Sequence, residues 1–308
     1  MRRRKLVVGS RGSKLALIQA ESVVVKLREI NPQLEVDICK ILTKGDRNLR
    51  IPIDPMEGVG VFVRELELAL LDGRIDVAVH SLKDMPSKIP QSLCLAAVTQ
   101  RLNPGDVLVS KSRKIDDLAP GSRIGTASFR RTVQLTSYRP DLEICGIKGN
   151  IDTRIRKVFR GEIDGVILAA AAMTRLGWED KITEFLPVDH FLPAVGQGAL
   201  AIETRCADEE IAELIISLNH LPTWQSITAE RALIRTLGGG CRAPIAALGT
   251  VDGVRLKLKG MIADSGGKKI LRDSEEGNTT AAEEVGMRLA EKLLELGASE
   301  FIAEGKVG

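Results

Sequence analysis

An alternation of short apolar runs with amphipathic segments, begun twice along the chain, limits the folds open to it more than any other feature. "KLVVGS" reads as a strand, "SKLALIQAESVVVKLREI" as a helix with apolar residues at helical spacing, and "LEVDICKIL" as a second strand. "VFVRELELALLDG" follows as a helix that Gly73 can stop, and "IDVAVHS" as a buried strand. Strands and helices in that order predict a mostly parallel sheet with helices on both faces.

The alternation restarts beyond "TQRLNPGD", residues 99–106, where Asn-Pro-Gly marks a boundary. "SRIGTAS", "LEICGIKG" and "IDGVILAA" are the strands of the second round, with "FRRTVQLTSYR" and "IDTRIRKVFRG" as helices between them. "FLPAVGQGALAIETR" is expected to cross back towards the first round. After "NHLPT" the pattern changes to a helix, a glycine loop, strands near "VRLKLKGMIA" and an amphipathic helix from about Ala281 to Leu296. The expected fold class is therefore α/β with a smaller C-terminal α+β unit. The expected domains are 1–98 with 199–217, then 103–192, then 221–308.

The 308 residues are 44% hydrophobic and 28% charged, which suits a soluble globular chain of two or three domains. The basic opening "MRRRKLVVGS" has a short apolar stretch before Gly9, so no signal peptide is read there. The longest apolar run, Val166 to Met173, falls well short of the ~20 residues that span a bilayer, and a cytoplasmic protein is expected. Cys39, Cys94, Cys145, Cys206 and Cys241 include no CxxC pair, which argues against a disulfide framework and against a zinc site. Cys39, Cys94 and Cys145 read as inert core, Cys206 lies near a helix start, and no metal is expected. His80, His190 and His220 are scattered and read as structural. A net charge of +3 and an aromatic content of 3% both disfavour a nucleic-acid partner.

The residues at the carboxyl end of each strand are more telling. After "LVVGS" comes Arg11, with Gly12 and Ser13 opening a helix. After "RIGT" come Ser128, Arg130 and Arg131, and after "CGIKGN" come Thr153, Arg154 and Arg156. Basic residues in a first turn oppose the helix macrodipole by roughly 0.3–1 kcal/mol each. Their recurrence makes sense where an anion sits among guanidiniums and free backbone N–H groups. The carboxyl ends of strands in an open α/β sheet are also where ligands bind. A ligand with several carboxylates or phosphates is expected, and no Walker or GxGxxG motif points to a nucleotide. In "AVHSLKDMP", Asp84 comes after a buried strand; among arginines it stays ionised and can stabilise a developing cation. In "LIRTLGGGCRAPIAALG" three glycines, Gly238 to Gly240, present Cys241 beside Arg242, a setting for an accessible thiol with a positive neighbour.

"VGSRGSKLALIQA", "AVHSLKDMP", "IGTASFRR", "KGNIDTR", "AAAAMTRLG", "LPAVGQGAL" and "GGGCRAPI" stand in the order found in the porphobilinogen deaminases, also called hydroxymethylbilane synthases. The chain resembles that family from about residue 5 to its C-terminal helix. The resemblance implies two domains like those of periplasmic binding proteins, with mostly parallel sheets, and a third domain carrying the loop cysteine. It implies a transferase that joins four porphobilinogen molecules head to tail, releasing ammonia, to give the linear tetrapyrrole hydroxymethylbilane. One dipyrromethane cofactor per chain, itself two porphobilinogen units, would be held through a thioether to Cys241. Arg11, Lys83, Ser128, Arg130, Arg131, Lys148 and Arg154 match the family's cofactor-binding positions. Arg11, Gln19, Arg154 and Arg175 match its substrate-binding positions. Asp84 matches the catalytic aspartate, which accepts hydrogen bonds from pyrrole nitrogens, stabilises the cation formed as ammonia leaves and, by the same resemblance, is expected to help with proton transfer. The implied partner is a small molecule, porphobilinogen, with neither nucleic acid nor membrane, and a monomer is expected.

Two departures from the family pattern stand out. Lys148 replaces an arginine common in the family, keeping the charge but losing bidentate geometry. "MEGVGVF" replaces a usual "GGKGLF", so that Val59 stands for a lysine. The alternative reading is a non-catalytic anion-binding protein of the same two-domain fold, which has no use for Cys241 on a glycine loop.

Overall fold

The computed structural model describes residues 5–42, 63–238, 244–264 and 266–302. It divides into two compact units, Met1–Arg101 with Ala199–Trp224, and Leu102–Gly198 with Gln225–Gly308. The chain first lays down β1 (Leu6–Arg11), α1 (Lys14–Ile30), β2 (Val36–Ile41), α2 (Arg64–Leu71), β3 (Val77–Ser81) and β4 (Leu93–Val98). It then builds β5 (Asp106–Ser110), β6 (Arg123–Gly125), α3 (Phe129–Tyr138), β7 (Glu143–Cys145) and α4 (Ile151–Phe159). After β8 (Gly165–Ala169), α5 (Ala170–Leu176) and β9 (Glu184–Phe185), it returns to the first unit as β10 (Leu200–Arg205) and α6 (Glu209–Ile216). The helix α7 (Leu221–Thr236), the strands β11 (Ile245–Asp252), β12 (Arg255–Ala263) and β13 (Ile270–Asn278), and α8 (Ala282–Leu293) complete it.

The first sheet has the order β2-β1-β3-β10-β4. β1 is parallel to β2 and β3, and β10 alone runs against its neighbours β3 and β4. Side chains alternate between the two faces as a pleated strand requires. Leu6, Val8, Val77, Val79 and Ile202 pack on Val23 and Leu27 of α1 and Ile215 of α6. Ala78 faces the other way, towards Leu66, Ala69 and Leu70 of α2. Gly9 belongs to that second face, where a Cβ would overlap the side chain of Ile75.

The second sheet repeats the plan in the order β7-β6-β8-β5-β9, with β6 parallel to β7 and β8 and with β5 the reversed strand. Val166 and Leu168 pack with Ile155 and Val158 of α4, whereas Ile167 packs with Leu135 of α3 and with Phe191. The C-terminal strands form an antiparallel sheet, β11-β12-β13, whose core joins α7 and α8 through Leu233, Leu258, Leu289 and Leu293. A second apolar cluster ties this sheet, through Ala246, Leu248 and Met261, to Val133 of α3 and to Leu192. The last helix is regular to Leu293 and widens over Leu294–Ala298, where Gly297 takes φ 104.

Two expectations need correction. The segment expected as a crossover carries a strand, β10, which lies inside the first sheet rather than merely leading to it. The absence of a disulfide is also overturned: Cys94 of β4 and Cys206, just past β10, are joined in one, with Cα atoms 5.2 Å apart. The physical reason is strand register. Cys94 pairs with Thr204 and Leu93 with Arg205, and the N–H of Cys206 donates to the Ser92 carbonyl at 3.0 Å. Pairing across 112 residues brings the thiols together, which local spacing cannot show. No helix among the described residues is long and apolar enough to cross a membrane.

Candidate functional site

In the first unit the carboxyl ends of the parallel strands β1 and β3 and the start of α1 surround a pocket of about 80 Å³. Arg11 is the last residue of β1 and Ser81 the last of β3, so each lies where the chain leaves the sheet. Ser13 caps α1, its Oγ accepting from the N–H of Ala16 at 3.3 Å. Gln19, one turn further and buried, is locked to Ser81: its Nε2 donates to Ser81 Oγ at 2.8 Å. After Ser81 the chain makes a single tight turn, Leu82–Asp84, pinned by the buried Leu82, whose N–H donates to the Ala199 carbonyl at 3.1 Å. Lys83 and Asp84 ride exposed on this turn. Arg11, Gln19 and Asp84 therefore line one pocket, together with Ser81 and His80; Lys83 shares the turn but does not line it.

The second unit places its candidate residues at the matching positions, beyond the parallel strands β6, β7 and β8. Ser128 precedes α3 and Asn150 precedes α4, and neither side chain caps its helix, leaving first-turn N–H groups without that partner. Lys148 is exposed on the loop before α4. Arg154, in the first turn of α4, donates from Nε to the Gly149 carbonyl at 2.7 Å, and Gly149 takes φ 103 to make the bend. Arg175, on α5, donates from Nη2 to the Gly198 carbonyl at 2.8 Å. Burial, and then the like charge of Arg131, pushes the Arg154 guanidinium below its ordinary value. Burial alone pushes Arg175 down to about 10, with no carboxylate offsetting it. Both remain cations at neutral pH.

Arg130 and Arg131 differ from the expectation of a ligand-facing pair. Both are buried, and both bind one protein carboxylate, Asp106, at the start of β5. Arg130 Nη2 lies 2.8 Å from Oδ2 and Arg131 Nη2 2.7 Å from Oδ1, while Gln197 Nε2 donates to Oδ1 at 2.9 Å. Their Nη1 groups donate to the carbonyls of Leu192 and Ile167, at 2.6 and 2.9 Å. Burial would raise the Asp106 carboxyl, but the two guanidiniums outweigh it and hold the group well below the usual carboxylate range. Burial pushes Arg130 down, and Asp106 only partly offsets this because Arg131 repels it. Asp106 and Arg130 therefore both lie below their ordinary values, the first because of two adjacent cations and the second because of burial. The anion at this helix start is thus supplied by the protein.

Sequence reasoning missed Asp106 because "NPGDVLVS" reads as a boundary turn followed by an apolar strand. It set aside His80 as an isolated histidine; the signal available was its place one residue before Ser81 on a strand leading to Asp84. Cys241, Arg242 and Val59 lie outside the described residues.

Known proteins resemble the chain over nearly its whole length. Residues 6–213 match the family model described as porphobilinogen deaminase, dipyromethane cofactor binding domain, and residues 224–295 match porphobilinogen deaminase, C-terminal domain. The porphobilinogen deaminase of Desulforamulus reducens is 45% identical over 305 residues, covering 99% of each chain. That of Geobacter metallireducens is 46% identical over 301 residues, covering 98% of this chain and 95% of the other. Among solved structures, the methionine binding protein MetQ is similar with a TM-score of 0.45 at 15% identity, over 77% of this chain and 96% of that one. The chain belongs to the porphobilinogen deaminase family.

Proposed function

We infer that the protein condenses four porphobilinogen molecules head to tail, releasing ammonia, to give hydroxymethylbilane, and that it extends a dipyrromethane held by Cys241. The observation that carries this reading is a pair of half-buried cations, Arg154 and Arg175, that no carboxylate offsets among the described residues, in a chain of this family. A buried cation without a counter-charge is costly, and each pyrrole unit, with its acetate and propionate, brings the missing negative charge. Lys148 and Ser128, beside two helix starts without side-chain caps, are donors of the kind a polycarboxylate needs, so the residues present fit the cofactor. Bound there, the dipyrromethane supplies the free pyrrole carbon to which the first substrate is joined. Arg130 and Arg131 contribute a net positive charge fixed in place by Asp106.

In the first unit, Arg11 donates to substrate carboxylates, the Gln19 amide meets substrate polar groups, and Asp84, on the turn after β3, sets a carboxylate close to the cation that develops as the amine leaves. We place the activity in the cytoplasm, in a monomer acting on a small molecule. The test is the intact mass of the purified protein and of Cys241→Ala. The unmodified chain should carry two linked pyrrole units and consume porphobilinogen, and the variant should fold without the added mass or the activity. An unmodified chain with no added mass and no turnover, even after supply of preformed hydroxymethylbilane, would refute the reading.

A further inference from the structure

Cys94 pairs in register with Thr204 of β10, two residues before Cys206, so the two cysteines are diagonal neighbours on one face of the strand pair. Their disulfide is not an internal cross-link: Cys94 is half-buried and Cys206 is exposed. An exchanging thiolate can therefore reach the sulfur of Cys206 while the core stays closed.

The chain beside Cys206 is also held independently of the S–S bond. The Cys206 N–H donates to the Ser92 carbonyl at 3.0 Å. Its neighbour Arg205 donates from Nε to Asp208 at 2.8 Å, from Nη1 to the Ile75 carbonyl at 2.7 Å, and from Nη2 to Asp76 at 3.1 Å. When the bond is reduced, these contacts keep the two thiols side by side, so reoxidation needs no search by the chain.

Along β10 the bond lies at the end remote from the pocket. At the other end Leu200 pairs with Ser81, and the Ala199 carbonyl accepts from Leu82 in the turn that carries Asp84. Hydrogen bonds hold that end to the chain after β4: the Thr99 N–H donates to the Leu200 carbonyl at 3.1 Å, and the Leu200 N–H to Thr99 Oγ1 at 3.3 Å. What the sulfur bond adds is closure of a long loop. Its partners are 112 residues apart, and the loop contains the whole segment Leu102–Gly198 of the second unit. Closing a loop of that length restricts the unfolded chain far more than the folded one.

We propose that Cys94 and Cys206 form a reversible redox staple, which stabilises the first unit when oxidised and leaves turnover unchanged. Its exchange partner is a low-molecular-weight thiol and the corresponding disulfide. On opening, a thiolate of the partner attacks Cys206 Sγ, the S–S bond breaks, and Cys94 leaves as a thiolate that takes up a proton. A second thiolate attacks the mixed disulfide and releases Cys206, which is protonated in turn. The protein pair gains two electrons, and the partner loses two and becomes its disulfide. Closing runs the same steps backwards. The proposal goes beyond the reading of function and depends on it only for the turnover measurement.

The experiment equilibrates the full chain in glutathione buffers from fully reduced to fully oxidised, starting from either form. Samples are quenched with iodoacetamide and weighed intact. The forms should differ by the two alkylated thiols of Cys94 and Cys206 and interconvert along one curve in both directions, and Cys206→Ser should lose that step. The oxidised form should have the higher urea midpoint, with its unfolding constant lowered on the order of 10²- to 10³-fold. Both forms should give the same kcat and KM with porphobilinogen. A bond that survives excess dithiothreitol in the folded protein is a permanent cross-link and overturns the proposal. Thiols that never oxidise, equal urea midpoints or unequal kcat values overturn it as well. If Cys206→Ser does not fold, reduced unmodified protein supplies the comparison, and a reduced form that also unfolds makes the bond purely structural and overturns the switch. If neither form consumes porphobilinogen, the reading of function fails, and the mass and urea measurements still decide the staple.

Discussion

Asp106 offers a quantitative test of how the second unit is held together. In Asp106→Asn the side-chain shape is nearly kept, but the carboxylate that two buried guanidiniums share is gone. The amide oxygen can still accept from one arginine, whereas its NH2 group turns donors towards the other. Removing one partner of a buried ion pair costs about 3–5 kcal/mol, because the remaining charge stays buried without compensation. For a unit of this size that corresponds to a loss on the order of 10 °C in Tm. The pH dependence comes from the depressed carboxyl. A group held below its unfolded value of about 3.9 contributes its full stability above that pH and loses it as pH falls through the folded value. Unmodified protein and variant share every other titrating group, so their difference isolates Asp106. The gap in urea unfolding, monitored by circular dichroism, should be widest near pH 7 and shrink below pH 4 by up to about 1.4 kcal/mol per pH unit. A gap under about 1 kcal/mol at pH 7, or one equally wide at pH 3, would refute the reasoning.

Two further substitutions address the chemistry and the C-terminal core. Asp84→Asn, supplied with preformed hydroxymethylbilane, should keep its pyrrole chain and extend it roughly 10²- to 10³-fold more slowly; mass spectra showing one, two and three added units at the normal rate would remove the charge from the mechanism. Gly286→Ala places a methyl group against the Ala229 carbonyl oxygen and Ala232, where α8 crosses α7, and should cost about 1–3 kcal/mol, read as a lowered urea midpoint; an unchanged midpoint would mean the helices separate freely.

Periodicity made most of the fold legible. Helical spacing identifies α1 and α3, and short apolar runs identify β1, β3 and β8, of which β3 and β8 are buried on both faces. What it could not supply was pairing across long stretches of sequence. β10 was hidden in a glycine-containing segment because a strand buried on both faces carries no alternation, only the run "ALAIETR". The disulfide between Cys94 and Cys206 was hidden for the same reason, being a product of that pairing. In the site, Arg11 and Asp84 were readable beside strand ends from pattern and family motif alike, and Gln19, on α1, from the family motif. The partners of Arg130 and Arg131 were not, since a guanidinium bound to the protein's own aspartate has the same sequence signature as one awaiting a ligand.

The place of β10 between β3 and β4 bears on the order in which the molecule can be made. Among the described residues β4 has no neighbour in the first sheet except β10, yet the ribosome must add the whole stretch from Thr99 to Ala199 before that neighbour begins to appear. At 5–20 residues per second, β4 waits roughly 5–20 s with both edges open. All five strands of the second sheet, by contrast, exist once Phe185 has been added. The N-terminal sheet is therefore begun first but closed after the second sheet, and a nascent chain halted before Leu200 leaves the β3 edge bare to any other strand in reach.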